Sequence, residues 1–310
     1  MAGLLQRLFG RDKETAEKEE KLRSSELDID TQPLDRETPA SSQAPDLIQD
    51  HLEPAQLLAG IGQSVGKQRD HNEDALFSLT TTMVSDTSQI PFGFYIVADG
   101  MGGHKHGEMA SGIAVRAMAG HVIRKLYTPL FGMPATTPDE SLQEIMQEGV
   151  QIAHQAILKQ TPGGGTTLTA VLILGDQLTI AHVGDSRAYV IKPDRTMEVL
   201  TRDHSLVKRL EELGQITPEE AAVHPQRNVL YRALGQGETF DAEITTTSLP
   251  HQGDLLICSD GLWGVISENE IYDIVTTTAS PEIACQNLVT AANVAGGPDN
   301  ITAILVRLPD

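Results

Sequence analysis

Five acidic turns lie at the ends of apolar runs that have the length of β-strands. Their acidic residues are Glu73 with Asp74, Asp99, Asp185, Asp260 and Asp299. Polar residues are common where a strand ends, so any one of these turns is weak evidence of a site. If the strands stack in one core, however, the carboxylates come close together and repel one another unless cations neutralise them. The pattern therefore predicts a cation site built from carboxylates.

The ligand types select the kind of cation. Carboxylate and carbonyl oxygens favour Mg²⁺, Mn²⁺ or Ca²⁺, whereas zinc would call for His and Cys at short spacing, which the sequence lacks. Two such cations about 3.5–4 Å apart can share a bridging hydroxide and hold a phosphoryl group for in-line displacement. An acidic calcium-binding structural domain is the alternative, but it gives no role to Arg69, the arginine that precedes the first acidic turn.

Arg69 lies four residues before Glu73, in the segment SVGKQRDHNEDALF. A guanidinium offers a planar pair of donors that matches two phosphate oxygens. The segment alone equally allows a surface ion pair between Arg69 and Asp70 or Glu73, and both interpretations stay open at this point.

Short apolar strands must position these residues. Phe94–Ala98 is a predicted buried strand, and Gly175-Asp176-Gln177 predicts a hairpin between Ala170–Leu174 and Leu178–Val183. Ala188–Ile191 is expected to continue that meander. The remaining predicted elements are strands over Leu255–Cys258 and Ile301–Val306, helices over 107–126 and 141–159, and helix starts at Thr217, Ser267 and Ser280. Hairpins with separate blocks of helices indicate an α+β fold with antiparallel sheets.

Composition bounds the class of protein. The 310 residues carry a formal net charge of −20, which argues against a nucleic-acid binder. Two cysteines, Cys258 and Cys285, are too few for a disulfide framework and are predicted to be reduced. No apolar run approaches the roughly 18 residues of a membrane span. We therefore expect a cytoplasmic protein without stable membrane insertion.

The first 52 residues differ in amino-acid composition from the rest of the chain. Met1–Lys21 predicts a short charged helix, and the Ser-, Pro- and Asp-rich stretch after it is too poor in apolar residues to offset its ordering entropy. We predict a disordered acidic tail over 1–52 and a single domain over 53–310. The apolar patch Met1–Gly10 could act as a weak membrane or partner anchor, but the acidic run that follows favours an untethered tail.

Other chemistries that act on phosphate groups do not fit the sequence. A cysteine-based enzyme needs Arg six positions after its nucleophile, where Cys258 has Gly264 and Cys285 has Ala291. An aspartyl-phosphate enzyme needs Asp-x-Asp-x-Thr/Val, whereas Asp28-Ile-Asp30 continues with Thr-Gln. The glycine-rich segment 163–167 lacks the Gly-Lys-Ser/Thr of a nucleotide-binding loop.

Six motifs resemble those of one enzyme family. They are Arg69-x-x-x-Glu73-Asp74, VADGMGGHKHGE (97–108), GGGTTLTAVLI (163–173), AHVGDSRAYVI (181–191), CSDGLWGVIS (258–267) and GGPDNITAILV (296–306). In this order, across roughly residues 55–308, they look like the motifs of the PPM family, the metal-dependent type 2C Ser/Thr protein phosphatases. The DGMGGH form is similar to the bacterial branch, and segment 213–235 looks like the flap of that branch beside the active site.

The resemblance implies a four-layer α-β-β-α sandwich whose two antiparallel sheets hold a dinuclear metal site between them at one edge. It implies two core Mn²⁺ or Mg²⁺ ions. Asp99 would bridge both ions and the Gly100 carbonyl would bind one of them. Asp260 and Asp299 would bind the first ion.

The resemblance also implies roles for the remaining acidic residues and for the arginine. Glu73 or Asp74 would contact the second ion directly or through water, and Arg69 would hold the substrate phosphate. Asp185, together with Asp260, would hold a third, weaker ion. Asp185 could alternatively do no more than cap the turn that follows it.

One position departs from the pattern of many eukaryotic members. They have His directly after the Asp-Gly pair as a candidate acid for the leaving alcohol, whereas this chain has Met101, which carries no proton. His104 is the nearest replacement, and a metal-bound water is an equal candidate.

The activity implied is hydrolysis of phosphoserine and phosphothreonine on proteins by a metal-bridging hydroxide, opposing a bacterial Ser/Thr kinase. The partners expected are phosphorylated proteins, and the chain is expected to be a monomer. The alternative is a pseudophosphatase, a phosphoprotein-binding regulatory scaffold that kept the fold and lost turnover. Against that alternative, every aspartate needed for two metals is present.

Overall fold

The computed structural model describes residues 56–85, 88–103, 105–132, 134–136, 138–237 and 242–309. The predicted tail over 1–52 lies outside these residues, so the predicted domain boundary stays a prediction. None of the helices in these ranges combines the length and the apolar character needed to cross a bilayer.

Two antiparallel sheets form the centre of the described structure. In spatial order, the strands of the first sheet are β1 (Leu58–Ser64), β11 (Ile301–Arg307), β10 (Asp254–Cys258), β7 (Arg187–Ile191) and β8 (Met197–Val199). Those of the second sheet are β2 (Asp74–Ser85), β3 (Ser88–Met101), β5 (Leu168–Leu174), β6 (Gln177–Val183) and β9 (Glu243–Ser248), with β4 (Gly165–Thr166) paired to the end of β3.

Helices cover the outer face of each sheet. The second sheet is covered by α1 (Lys105–Val122), which continues through a π-helical turn (Ile123–Tyr127) into α2 (Thr128–Phe131), and by α3 (Leu142–Gln160). Four helices follow β8 or β10: α4 (Leu206–Glu212), α5 (Pro218–Ala222), α6 (Asp260–Trp263) and α7 (Glu268–Thr277). The last, α8 (Pro281–Val294), packs with α7 on the first sheet.

The alternation of side chains along the strands explains the layers. In β3, Phe94 and Ile96 face the helices, whereas Tyr95 and Val97 face the other sheet. In β10, Leu255 and Ile257 face the other sheet, whereas Leu256 and Cys258 pack against helices. The central strands of both sheets are therefore buried on both faces. The predicted α+β fold with antiparallel sheets, arranged as an α-β-β-α sandwich, is confirmed.

One predicted connection is wrong. The hairpin around Gly175 is present, with Leu174 opposite Gln177, but Ala188–Ile191 does not continue the meander. Those residues lie in β7, which pairs with β10 in the other sheet. Because the central strands of both sheets are buried on both faces, the apolar pattern cannot tell which sheet such a strand joins. The chain changes sheets at the turn 184–186, where Gly184 has a φ of +105°.

Candidate active site

The pairing of β2 with β3 places two acidic residues side by side. Asp74 lies directly opposite Asp99 in the ladder. The backbone of Asp99 is fixed by Thr166 of β4 and by Thr167, the residue between β4 and β5. Its N–H donates to Thr167 Oγ1 at 2.8 Å, and its carbonyl accepts from Thr166 Oγ1 at 2.8 Å. Asp99 is thus held at the strand end by two threonines of the glycine-rich segment.

Gly100 lies where two segments approach closely. Its N–H donates to the carbonyl of Glu73 at 3.1 Å. A Cβ at Gly100 would lie 2.3 Å from the carbonyl oxygen of Gly107 at the start of α1. Only glycine fits there, and its carbonyl is therefore brought to the same edge as Asp99 without a side chain in the way.

Asp74 links the two sheets. Its Oδ2 accepts hydrogen bonds from Ser259 Oγ at 2.8 Å and from Thr302 Oγ1 at 2.6 Å, both on the first sheet or at the end of one of its strands. The other oxygen, Asp74 Oδ1, is buried and, like Asp260 Oδ1, has no hydrogen-bond partner within the described ranges. A buried carboxylate oxygen without a donor needs a compensating charge, which a cation would provide.

Arg69 does not pair as the local sequence suggested. Its Nη2 lies 2.6 Å from Asp299 Oδ2, rather than on Asp70 or Glu73 as the surface ion-pair interpretation had it. The Arg69 side chain is 49% exposed, and ion pairs at such positions contribute little to stability. The guanidinium therefore reaches the acidic cluster and remains accessible to an incoming anion.

Asp185 reaches the cluster from the turn between the sheets. Trp263 Nε1 donates to its carbonyl at 3.0 Å. Arg187 stacks on the Trp263 ring at 3.5 Å from its centroid and donates to both carboxylate oxygens of Asp203 at 3.0 and 2.7 Å. The tryptophan thus holds the Asp185 turn through this hydrogen bond.

The carboxylates lie close enough to change one another's ionisation. Burial raises the pKa of Asp74 to about 7, and the Asp260 and Asp299 carboxylates add to the rise. Burial also raises the pKa of Asp260 to about 6, and the Asp299 carboxylate is the next largest cause of that rise. The pKa values of Asp99 and Asp185 are raised well above the ordinary range by burial first and neighbouring carboxylates second.

The donor set fits hard divalent cations. Within the described ranges, no three Asp, Glu, His or Cys side chains are grouped closely enough to hold an ion by themselves. An ion here would therefore need carbonyl oxygen and water in addition to carboxylates. Mg²⁺ retains several waters in most protein sites, so an incomplete set of protein ligands suits it.

The cluster opens into a cleft of about 490 Å³. Arg69, Asp185, Asp260 and Asp299 are among the residues that line it. Other lining residues come from 205–228, the region of α4 and α5, which overlaps the predicted flap over 213–235. A phosphorylated side chain entering this cleft would meet Arg69 and the carboxylates together.

The structure thus brings together Arg69, Asp74, Asp99, Asp185, Asp260 and Asp299, with the backbone of Glu73 and Gly100 at the same edge. His104 lies outside the described residues. Sequence reasoning missed the hydroxyls of Ser259 and Thr302, although each lies within or beside a motif that was singled out. It also missed Asp203 and His204, which no local pattern distinguishes.

Comparison with known proteins identifies the class. The model of the protein phosphatase 2C family matches residues 59–301. The serine/threonine phosphatase stp of Listeria welshimeri is 38% identical over 247 residues, which cover 78% of this chain and 92% of that protein. The chain belongs to the protein phosphatase 2C family.

Solved structures agree with this assignment. The serine/threonine phosphatase PstP/Ppp of Mycobacterium tuberculosis is 30% identical, with a TM-score of 0.68, and the match covers 82% of this chain and all of that one. A structure of the catalytic domain of the phosphatase PstP in complex with two manganese ions is 29% identical, with a TM-score of 0.66, and the match covers 82% and 99% of the two chains. The four-layer fold is therefore shared along almost the whole of these relatives.

Proposed function

We propose that this chain removes phosphate from phosphoserine and phosphothreonine on proteins, using two Mn²⁺ or Mg²⁺ ions held between the ends of its sheets. The observation that carries the proposal is the convergence of five aspartates from both sheets beside an accessible arginine, which lines a cleft together with three of them. The family assignment and the manganese complex of PstP support it. A regulatory scaffold without turnover would have no need of the complete set.

The proposed ligand roles are those that the resemblance to the family implies. Asp99 would be shared by the two ions with the Gly100 carbonyl on one of them, and Asp260 and Asp299 would bind the first ion. Around that ion these three carboxylates would have to lie closer together than the structure places them. Glu73 or Asp74 would face the second, directly or through water. When bound, the ions would supply a nucleophile derived from water at neutral pH and would neutralise the phosphoryl oxygens.

Side chains of the protein would bind the phosphate, orient the carboxylate of Asp74 and supply the proton for the leaving group. Arg69 would hold two phosphate oxygens through its guanidinium and fix the orientation of the phosphoryl group. The hydroxyls of Ser259 and Thr302 would keep Asp74 Oδ2 occupied, so that Oδ1 alone points to the cation side. His104 stays the proposed acid for the leaving alcohol, with water as the alternative.

Asp185 and Asp260 are proposed to hold a third, weaker cation. Two carboxylates and water make a poor site for an ion that keeps its hydration shell, so occupancy should need millimolar metal. Calorimetric titration of Asp185→Ala with Mn²⁺ tests this: the two tight ions should remain and the weak one should be lost. The same number of sites and the same kcat as in the wild type would instead favour a turn-capping role for Asp185.

The test of the activity is hydrolysis of p-nitrophenyl phosphate and of a phosphothreonine peptide with and without Mn²⁺. Metal-dependent release of phosphate from both is expected, and binding of the peptide without release would favour the scaffold. We further propose that the chain acts as a cytoplasmic monomer that opposes a Ser/Thr kinase. The two free, buried thiols of Cys258 and Cys285 are consistent with a reducing compartment.

A further inference from the structure

The turn 184–186 is the only link between β6 and β7, and it carries Asp185 into the acidic cluster. Trp263 holds the carbonyl of Asp185. Gly184, the residue before it, is held at both of its backbone polar groups by His204. Its N–H donates to His204 Nδ1 at 3.1 Å, and its carbonyl accepts from the His204 N–H at 2.7 Å.

The geometry fixes the form of the His204 ring. Because Nδ1 accepts the Gly184 N–H, it carries no proton, and the proton of the neutral ring is on Nε2, which faces Glu243 Oε2 at 3.5 Å. The side chain is 2% exposed. Burial first, and then the positive charge of Arg232, lowers the pKa of His204, which favours this neutral form.

Gly184 cannot hold the turn by itself. Its φ of +105° is a conformation that glycine adopts freely, and glycine also has the largest choice of others. A Cβ there would lie 2.5 Å from Thr167 Cγ2, so no stiffer residue can replace it. Without an acceptor, its buried N–H would be left unsatisfied, and the turn could avoid that cost only by moving.

We propose that His204 is a positioning residue for Asp185: its Nδ1 fixes the Gly184 amide, and this keeps the Asp185 carboxylate beside Asp260, where the weak third cation binds. The role of the cation rests on the proposed function. The fixing of the turn does not, and it can be measured separately.

Three variants isolate the acceptor atom. His204→Leu keeps most of the ring volume and removes the acceptor, whereas His204→Asn places Oδ1 close to where Nδ1 lies and retains it. His154→Leu is the matched control, because His154 Nδ1 also accepts a buried glycine N–H, that of Gly235, at 3.1 Å. If His204→Leu fails to fold, His204→Gln replaces it, since its amide reaches the position of Nε2 rather than Nδ1.

The first measurement is hydrogen exchange of the Gly184 amide by NMR. Exchange should accelerate about tenfold or more in His204→Leu and should stay near the wild-type rate in His204→Asn and His154→Leu. The second is calorimetric titration with Mn²⁺. Only His204→Leu should weaken the third ion, by about 10-fold or more, while the two tight ions stay unchanged. Its kcat on a phosphothreonine peptide should recover as Mn²⁺ is raised.

The proposal would be overturned if His204→Leu exchanged its Gly184 amide and bound Mn²⁺ as the wild type does. It would also be overturned if His204→Asn showed the same faster exchange and weaker Mn²⁺ binding as His204→Leu. A wild-type protein that binds only two ions would remove the third cation from the proposed function and overturn that part of the inference. The exchange rate of the Gly184 amide would still decide whether His204 fixes the turn. A wild-type protein without phosphatase activity would contradict the proposed function and leave both measurements readable.

Discussion

At the scale of single residues, Arg69 has two candidate partners, the Asp299 carboxylate and an incoming phosphate. The ion pair at 2.6 Å is exposed on the arginine side, so its loss costs little folding free energy. A phosphate with nearly two negative charges attracts the guanidinium more strongly than a single carboxylate does. Arg69 is therefore expected to serve substrate binding more than stability.

Arg69→Ala should raise KM for a phosphothreonine peptide by about 10-fold or more, with a smaller loss in kcat, because a charged hydrogen bond to the ground state is removed. Arg69→Lys should recover only part, since a point charge cannot match two oxygens in a plane. Lys67→Ala, an exposed cation two residues away, is the control and should change neither constant. An unaltered KM in Arg69→Ala would show that the ion pair is its whole role.

Also at this scale, the raised pKa values predict how metal binding depends on pH. Asp74 and Asp260 have pKa values of about 7 and about 6 when folded, above the value near 4 of an unfolded chain. The folded, metal-free protein therefore binds extra protons, and its stability falls as pH rises from about 4 to about 7. A bound cation must displace those protons.

The gain in Tm caused by a fixed concentration of Mn²⁺ should accordingly grow from about pH 5 to about pH 8. Thermal unfolding of chelator-treated and Mn²⁺-loaded protein measures it. Asp260→Asn, which lacks one of the competing protons and one ligand, should show a smaller gain at every pH. A gain that does not vary with pH would contradict the assignment of these carboxylates as ligands.

At the scale of elements, the turn between the sheets differs from an ordinary hairpin turn. Gly184 and Gly175 both have positive φ, +105° and +60°. A Cβ at Gly184 meets Thr167 at 2.5 Å, whereas a Cβ at Gly175 meets nothing within 4 Å. At both positions a residue with a side chain would have a strained backbone conformation. Of the two, only Gly184 would in addition bring that side chain into collision with a neighbour.

Gly175→Ala should therefore lower the free energy of unfolding by about 1 kcal/mol, and Gly184→Ala by about 2 kcal/mol more than that. Urea denaturation of the two variants gives the difference. Equal losses would mean that the sheet-to-sheet turn tolerates a side chain and is not tightly fixed.

The same elements show what the sequence could predict and what it could not. Asp99 and Asp260 were found because an acidic residue ends or follows a strand within a recognisable motif. The partner of Arg69 was missed because Asp299 lies 230 residues away, and only the fold brings them together. The placement of β7 was wrong because an apolar strand buried on both faces fits either sheet. The contact of His204 with Gly184 likewise depends on tertiary packing alone.

At the scale of the whole molecule, packing shows that Leu57 already belongs to the core of the described structure. Leu57 is buried in the core between the sheets, in the same cluster as Val306 and Leu308. The residues before 56 lie outside the described structure, and 1–52 are predicted from composition to supply neither ligands nor core.

Deletion of residues 1–52 should therefore leave both Tm and turnover of p-nitrophenyl phosphate unchanged. Deletion of residues 1–57 is the matched control, because it removes Leu57 as well and should cost about 2 kcal/mol or more of stability. Loss of activity in the shorter deletion would show that the tail contributes to the catalytic domain.

The central claim is that the aspartates at the junction of the sheets hold the cations on which phosphate release depends. The most direct test is the rate of phosphate release from a phosphothreonine peptide by wild type and Asp99→Asn, measured in chelator and across a Mn²⁺ titration. We expect no release in chelator, recovery of the wild type with Mn²⁺, and a loss of more than about 100-fold in a folded Asp99→Asn. Full activity of the wild type in excess chelator, or of Asp99→Asn with Mn²⁺, would contradict the account.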